Sequence, residues 1–173
     1  NEQLNVDLVC ITIEDATDVY YFQTQYQATM EQLELANRTD GLTKVANRRY
    51  WEERLTSEFQ RAKRYSSALS VAMFDLDKFK SVNDVYGHQA GDLVLVEAAS
   101  LVQNLLRKGD LLGRYGGEEF GIILPNTNAA GAAELAERIR KQFEQHQMIY
   151  NEQTLNATMS IGICQFDARS TRF

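Results

Sequence analysis

The chain has 173 residues, enough for one domain plus an appendage, and 44% of them are hydrophobic, as in proteins that bury a single core. A formal net charge of −6 argues against binding a nucleic-acid polymer through a broad basic face, although a metal ion could still bring positive charge to a nucleotide. No apolar run approaches the ~20 residues that a membrane-spanning helix needs, and no signal peptide opens the sequence. We therefore expect no direct membrane contact from this segment and a cytoplasmic location, with room for a membrane segment upstream of Asn1.

No Gly or Pro precedes Gly41, consistent with two regular elements. Residues 6–13 (VDLVCITI) read as a strand ended by Glu14-Asp15-Ala16-Thr17, and Asp15 or Thr17 would cap a helix running to about Ala36. Along it Val19, Phe22, Tyr26, Thr29, Leu33 and Ala36 are spaced 3-4-3-4-3. That period suits a coiled-coil seam, or an amphipathic helix packed on its own domain. Strand, Asp-Ala-Thr and helix together resemble the end of a PAS sensor domain entering a signalling helix. The expected layout is a PAS-like end over residues 1–18, a linker helix over 19–37 and a second domain over 38–173.

The second domain opens with Arg38-Thr39-Asp40-Gly41-Leu42-Thr43. Thr43 or Asn47 would cap a helix carrying Tyr50, Trp51, Leu55 and Phe59 on its apolar face. Residues 69–74 (LSVAMF) read as a short strand ending in Asp75-Leu76-Asp77. Residues 78–86 read as a short helix stopped by Gly87, and 93–106 as a helix starting just after Gly91-Asp92. Residues 110–115 and 120–124 form a hairpin, closed by Pro125. Residues 129–143 are helical with Leu135, Ile139 and Phe143 on one face, and 154–166 form a last long strand broken by Gly162. Cys10 and Cys164 lie in apolar, strand-like runs and are expected to be reduced core thiols. The order β-α-α-β-β-α-β predicts an α+β fold, with a central, mainly antiparallel sheet flanked by helices.

The hairpin Arg114-Tyr115-Gly116-Gly117-Glu118-Glu119-Phe120 is the most informative segment. Gly-Gly signals a two-residue turn because both positions tolerate positive φ. Acids that follow it suit either a solvated tip or a divalent cation held against a phosphate. Asp75 and Asp77 pose the same choice: one could cap the next helix, or both could face a cation. If the 69–74 strand lies beside the hairpin, Asp75 and Glu118 meet at one edge. Two carboxylates that close repel unless a divalent ion sits between them.

These stretches resemble the GGDEF domain of diguanylate cyclases, in the variant whose signature reads GGEEF. The matching residues are Asp40-Gly41-Leu42-Thr43 with Asn47-Arg48-Arg49, then FDLDKFKSVNDVYGHQAGD (74–92), RYGGEEF (114–120) and TMSIGI (158–163). The resemblance covers residues 38–166. It implies a βααββαβ domain of the nucleotidyl-cyclase, palm-like type that condenses two GTP into cyclic di-GMP and two pyrophosphates. It implies Asp75 and Glu118 as carboxylate ligands, and the Leu76 carbonyl as a backbone ligand, of two Mg²⁺ or Mn²⁺ ions per active site. Such ions ease ionisation of the attacking 3′-hydroxyl and neutralise the phosphates. Glu119 is implied to help deprotonate that hydroxyl, and Lys80 to offset phosphate charge. Asn83 and Asp92 would read the guanine edge and reject ATP, since a buried Asp would be left unpaired against adenine. His88 would lie along the guanosine, unless it is a simple turn residue. Gly116 and Gly117 would admit backbone close to the α-phosphate. Asp77 is left to structural support.

Arg107-Lys108-Gly109-Asp110 fits the family's RxxD pattern, which implies an inhibitory site for cyclic di-GMP with Arg138 as its second arginine. Taken alone, RxxD fits a solvated helix end equally well. Family members continue past the TMSIGI strand into another helix with an Asp-x-x-Leu-Tyr-x-x-Lys-like segment, so a domain truncated at Phe173 is expected. Three functions compete. The first is a cyclase working as a homodimer, paired through the helix over 19–36. The second is a non-catalytic receptor holding cyclic di-GMP through Arg107, Asp110 and Arg138. The third is another metal-dependent cyclase or palm acting on ATP. The intact Gly116-Gly117-Glu118-Glu119 speaks against the second, and Asn83 with Asp92 against the third.

Overall fold

In a computed structural model of the protein, the described residues are 19–27, 29–30 and 38–166. The chain divides into two compact units, Asn1–Asn37 and Arg38–Phe173. In the first, residues 19–27, 29 and 30 are helical, and Val19, Phe22, Tyr26 and Thr29 of the expected seam are exposed. The expected strand over 6–13, its caps Asp15 and Thr17, Cys10, Leu33 and Ala36 lie outside the described residues.

In chain order the second unit runs β1 (Ala46–Asn47), α1 (Arg48–Tyr65), β2 (Leu69–Leu76), α2 (Phe79–Tyr86), α3 (His88–Leu105), β3 (Leu111–Gly116), β4 (Glu119–Pro125), α4 (Ala129–Gln145), β5 (Met148–Tyr150), β6 (Gln153–Leu155) and β7 (Met159–Phe166). Five strands form one sheet in the order β1-β3-β4-β2-β7. Only the pairing of β1 with β3 is parallel. This is the expected α+β layering, with additions.

Of the two candidate caps for α1, Asn47 takes the role: its side chain accepts the Tyr50 N–H at 3.0 Å. α3 begins five residues before the expected start at Leu93. Gly87, at φ 86°, turns the chain between α2 and α3, and its carbonyl accepts the N–H groups of Ala90 and Gly91. Gly91 therefore sits inside α3, where packing demands it. A Cβ there would lie 2.0 Å from the Asn83 side-chain oxygen.

The expected strand over 154–166 is two strands. Residues 153–155 pair back on β5 in a small hairpin, while Met159 starts β7 opposite Leu76. Gly162 does not break β7 but pairs opposite Met73. Cys164 is exposed on this edge strand, which corrects its expected place in the core.

Alternation along β2 divides the apolar residues between two faces. Ala72, Phe74 and Leu76 join Phe120, Ile122 and Leu124 beneath α3 and α4, which contribute Val94, Ala98, Val102, Ile139 and Phe143. Leu69, Val71 and Met73 face the other way, toward Trp51 and Ala62 of α1. Trp51 lies over a glycine slot. Gly113 and Gly121 are register partners across β3 and β4, and a Cβ on either would come within 2.6 Å of the indole. Tyr115 meets the same indole edge-on, with ring centroids 5.6 Å apart.

Candidate active site

β2 ends where the hairpin turns, and the register fixes which acids meet. Asp75 stands opposite Glu119 on one side and Ser160 on the other. The turn is shifted from its expected position. Gly116 pairs with Glu119, so the central turn residues are Gly117 and Glu118 rather than the two glycines. Gly117 adopts φ +45° while Gly116 keeps ordinary backbone, which is the pattern of tight hairpins with glycine at the first central position. A register irregularity between Arg114 and Gly116 produces the shift.

Burial raises the Asp75 carboxyl above its usual range, and the charges of Glu118, Glu119 and Asp77 push it further the same way. Asp77 is different. Hydrogen bonds from the Thr158 and Ser160 hydroxyls, at 2.6 and 2.7 Å, hold its carboxyl below the usual range. That ties the end of β2 to the start of β7, the structural support assigned to it. Among the described residues no three His, Cys, Asp or Glu side chains converge as a metal cage. A cation at Asp75 and Glu118 would have to complete its shell with backbone and substrate oxygens, as Mg²⁺ habitually does. The mutual repulsion at Asp75 fits such an ion.

Leu76, the expected backbone ligand, has its side chain fully buried in the core. Lys80 is exposed in the first turn of α2. Asn83, half-buried on α2, lays its amide against the Gly91 backbone of α3, with Asp92 the next residue along and exposed. Asn83 thus packs beside the first turn of α3, at Gly91, one residue before Asp92 in sequence. His88, the first residue of α3, is exposed.

The RxxD residues form a second constellation. The Arg107 guanidinium and backbone N–H donate to the two Asp110 carboxylate oxygens at 3.1 and 3.2 Å. Arg107 also donates to the Pro125 carbonyl and to the Thr127 hydroxyl. A cleft of about 260 Å³ opens here, lined by Arg107, Asp110, Thr127, Glu134 and Arg138 among others. Arg138 reaches this cleft from α4 and donates to the Leu105 carbonyl at 3.5 Å. A second cleft of about 370 Å³, which shares Arg107 and Asp110 with the first, is also lined by Arg54, Arg61 and Lys108. Arg54 and Arg61, both paired to buried Glu58, had no signal in the sequence beyond their charge.

Two residues of the quoted motifs acquire a contact that was not expected. Arg114 donates from Nε and Nη2 to the Gly117 carbonyl at 2.9 and 2.7 Å, and from Nη1 to Asp40 at 3.2 Å. Asp40 also accepts the Thr43 N–H and hydroxyl at 2.8 and 2.7 Å. Burial pushes the Asp40 carboxyl up, but the hydrogen bonds from Thr43 and Arg114, with the arginine's charge, outweigh it and hold the group below its usual range.

Comparison with known proteins gives a consistent picture. The family described as "Diguanylate cyclase, GGDEF domain" matches residues 37–172. Diguanylate cyclase A of Treponema denticola is 46% identical over 99 residues, covering 57% of this chain and 27% of the relative. Diguanylate cyclase DgcP of Escherichia coli is 34% identical over 154 residues, covering 85% of this chain and 45% of the relative. The chain spans less than half the length of the curated relatives it matches. Among solved structures, the coiled coil and GGDEF domain of DgcB from Caulobacter crescentus in complex with c-di-GMP superposes with a TM-score of 0.84. Its identity is 27%, and the match covers 89% of this chain and 82% of that one.

Proposed function

Because this chain belongs to the diguanylate cyclase GGDEF-domain family, we propose that it condenses two GTP molecules into cyclic di-GMP with release of two pyrophosphates. The observation that carries the reading is the convergence of Asp75 with Glu118 and Glu119 at the end of β2, where desolvation, and after it the charges of the neighbouring acids, raise the Asp75 carboxyl. Asp75 and Glu118, with the Leu76 carbonyl, would hold two Mg²⁺ or Mn²⁺ ions, which when bound neutralise phosphate charge and favour ionisation of the 3′-hydroxyl. Glu119, exposed at the start of β4, takes that hydroxyl's proton as it attacks the α-phosphate of the second GTP. Lys80 adds positive charge toward the phosphates, and Gly116 and Gly117 let backbone approach them.

Specificity rests on α2 and α3. Asp92 accepts from guanine N1–H and N2–H₂, a donor pair that adenine lacks, while Asn83 pairs with O6 or N3. His88 lies along the guanosine. Each subunit holds one GTP, so bond formation needs two subunits face to face. The exposed apolar side chains Val19, Phe22 and Tyr26 ahead of the domain support such pairing, and the same segment would carry the signal of an upstream PAS-like sensor. Cyclic di-GMP binds back at Arg107, Asp110 and Arg138 as an inhibitor.

Purified protein given GTP and Mg²⁺ should yield cyclic di-GMP on chromatography and no cyclic product from ATP. Specific activity should rise with protein concentration at low dose, since mass action favours the paired state. Absence of cyclic product would overturn the reading, and constant specific activity down to nanomolar protein would overturn the dimer requirement.

For the inhibitory site, Arg107→Ala and Asp110→Ala should each weaken cyclic di-GMP binding by about 1–3 kcal/mol, the worth of one bidentate contact. Calorimetry returning wild-type affinity for both variants would remove these residues from the site.

A further inference from the structure

The motif Asp40-Gly41-Leu42-Thr43 and the arginine that opens the hairpin segment have no part in the chemistry described so far, yet they meet at the acidic turn. The turn needs an external hold. Gly117 has no side chain, its φ is +45°, and nothing lies within 4 Å of where its Cβ would be. The strand ladder that would otherwise stiffen the hairpin is irregular between Arg114 and Gly116. A glycine peptide left in that state rotates readily, and the carboxylate attached to the next residue moves with it.

Arg114 supplies the hold. Two of its donors converge on the Gly117 carbonyl and a third is taken by Asp40. Because the guanidinium is planar and rigid, fixing one edge on Asp40 aims the other edge at Gly117. Asp40 is itself held: its N–H donates to the Val45 carbonyl at 2.8 Å, and its carboxylate receives Thr43. The Asp40 and Arg114 side chains are only 23% and 18% exposed, so their attraction is less screened than that of a surface pair.

We infer that Arg114 is a positioning residue for the reaction: anchored by Asp40, it fixes the Gly117–Glu118 peptide and so presents the Glu118 carboxylate to the divalent cation. This rests on the metal-binding role proposed for Asp75 and Glu118. Asp40 stands just past the boundary between the two compact units, so the hold also ties the acidic turn to the point where the chain enters its domain.

The test measures Mn²⁺ affinity by electron paramagnetic resonance, in the presence of a non-reacting α,β-methylene analogue of GTP. Arg114→Lys keeps the charge but cannot serve Gly117 with two donors while reaching Asp40. It should weaken Mn²⁺ binding by about tenfold, the usual scale for removing a residue that orients a ligand. Its cyclic di-GMP affinity should stay at wild type, and it should remain folded at the assay temperature by circular dichroism. Asp40→Asn, which leaves Arg114 in place without its charged partner, should lose several-fold in the same direction. If Arg114→Lys does not fold, Asp40→Asn carries the test alone. Asp75→Ala is the reference. If it abolishes Mn²⁺ binding while the folded Arg114 and Asp40 variants stay within twofold of wild type, the positioning role is wrong. If Asp75→Ala leaves Mn²⁺ binding unchanged, the metal reading fails and this inference falls with it.

Discussion

Asp75→Ala and Glu118→Ala should each lower turnover at least about 10³-fold, equivalent to some 4 kcal/mol of lost transition-state stabilisation. The double variant should be scarcely worse than either single one. One carboxylate comes from β2 and the other from the β3–β4 turn, yet they reach one edge, because Asp75, next to last in β2, is in register with Glu119 and Glu118 directly precedes Glu119. Groups that hold one cation act as a unit: once either is gone the ion is misplaced, and the remaining acid has nothing left to orient. Neither change should harm the fold. In the absence of the ion, the charge on Asp75, exposed but partly desolvated, is disfavoured by that desolvation and by its acidic neighbours, so removing it relieves repulsion. Single-turnover assays of GTP consumption, with far-ultraviolet circular dichroism unchanged, check the result. Additive losses in the double variant would mean that the two acids serve separate steps.

The acidic cluster was legible in the sequence because carboxylates that end an apolar strand and follow a glycine turn stand out against their surroundings. What the sequence left obscure was register. Gly116-Gly117 signals a turn, but the irregularity at Tyr115 moves the turn centre one residue on and makes Glu118 part of it. Gly91-Asp92 reads as a helix start, whereas the break lies at Gly87 and Gly91 is needed for close packing on Asn83. The β5–β6 hairpin turns through Asn151 and Glu152, both at positive φ, without the glycine that would have announced it. Cys164 has apolar neighbours in sequence, but its strand lies at the sheet edge and the thiol faces out. The contact of Arg114 with Asp40 spans 74 residues. Both residues sat in recognised motifs, but only the fold shows that they touch.

The glycine slot under Trp51 yields a prediction whose sign opposes the usual rule. Gly121 lies within β4 and is not among the glycines at positive φ, so alanine could adopt its backbone conformation. At such a site Gly→Ala ordinarily stabilises by about 0.4–1 kcal/mol, through loss of unfolded-state entropy. Here the new Cβ would meet Trp51 Cε2 and Cζ2 at 2.6 Å. The indole has little room to retreat, being only 4% exposed and packed with Ala46, Ala62, Leu69 and Ile123, with Tyr115 at its edge. Gly121→Ala should therefore destabilise the domain by up to about 3 kcal/mol, the scale of overpacking a filled core. Trp51→Leu should also destabilise, by emptying the slot. In that background Gly121→Ala should become neutral or favourable, because the methyl group enters space the indole has left. The coupling between the two changes should then exceed about 1 kcal/mol. Urea denaturation with unchanged m-values reads each step. If the two losses simply add, Trp51 is not what keeps Gly121 bare. A β4 shifted by the clash would also carry Glu119 away from Asp75, so Gly121→Ala should lose turnover under conditions where it remains folded, and the Trp51→Leu background should restore part of it.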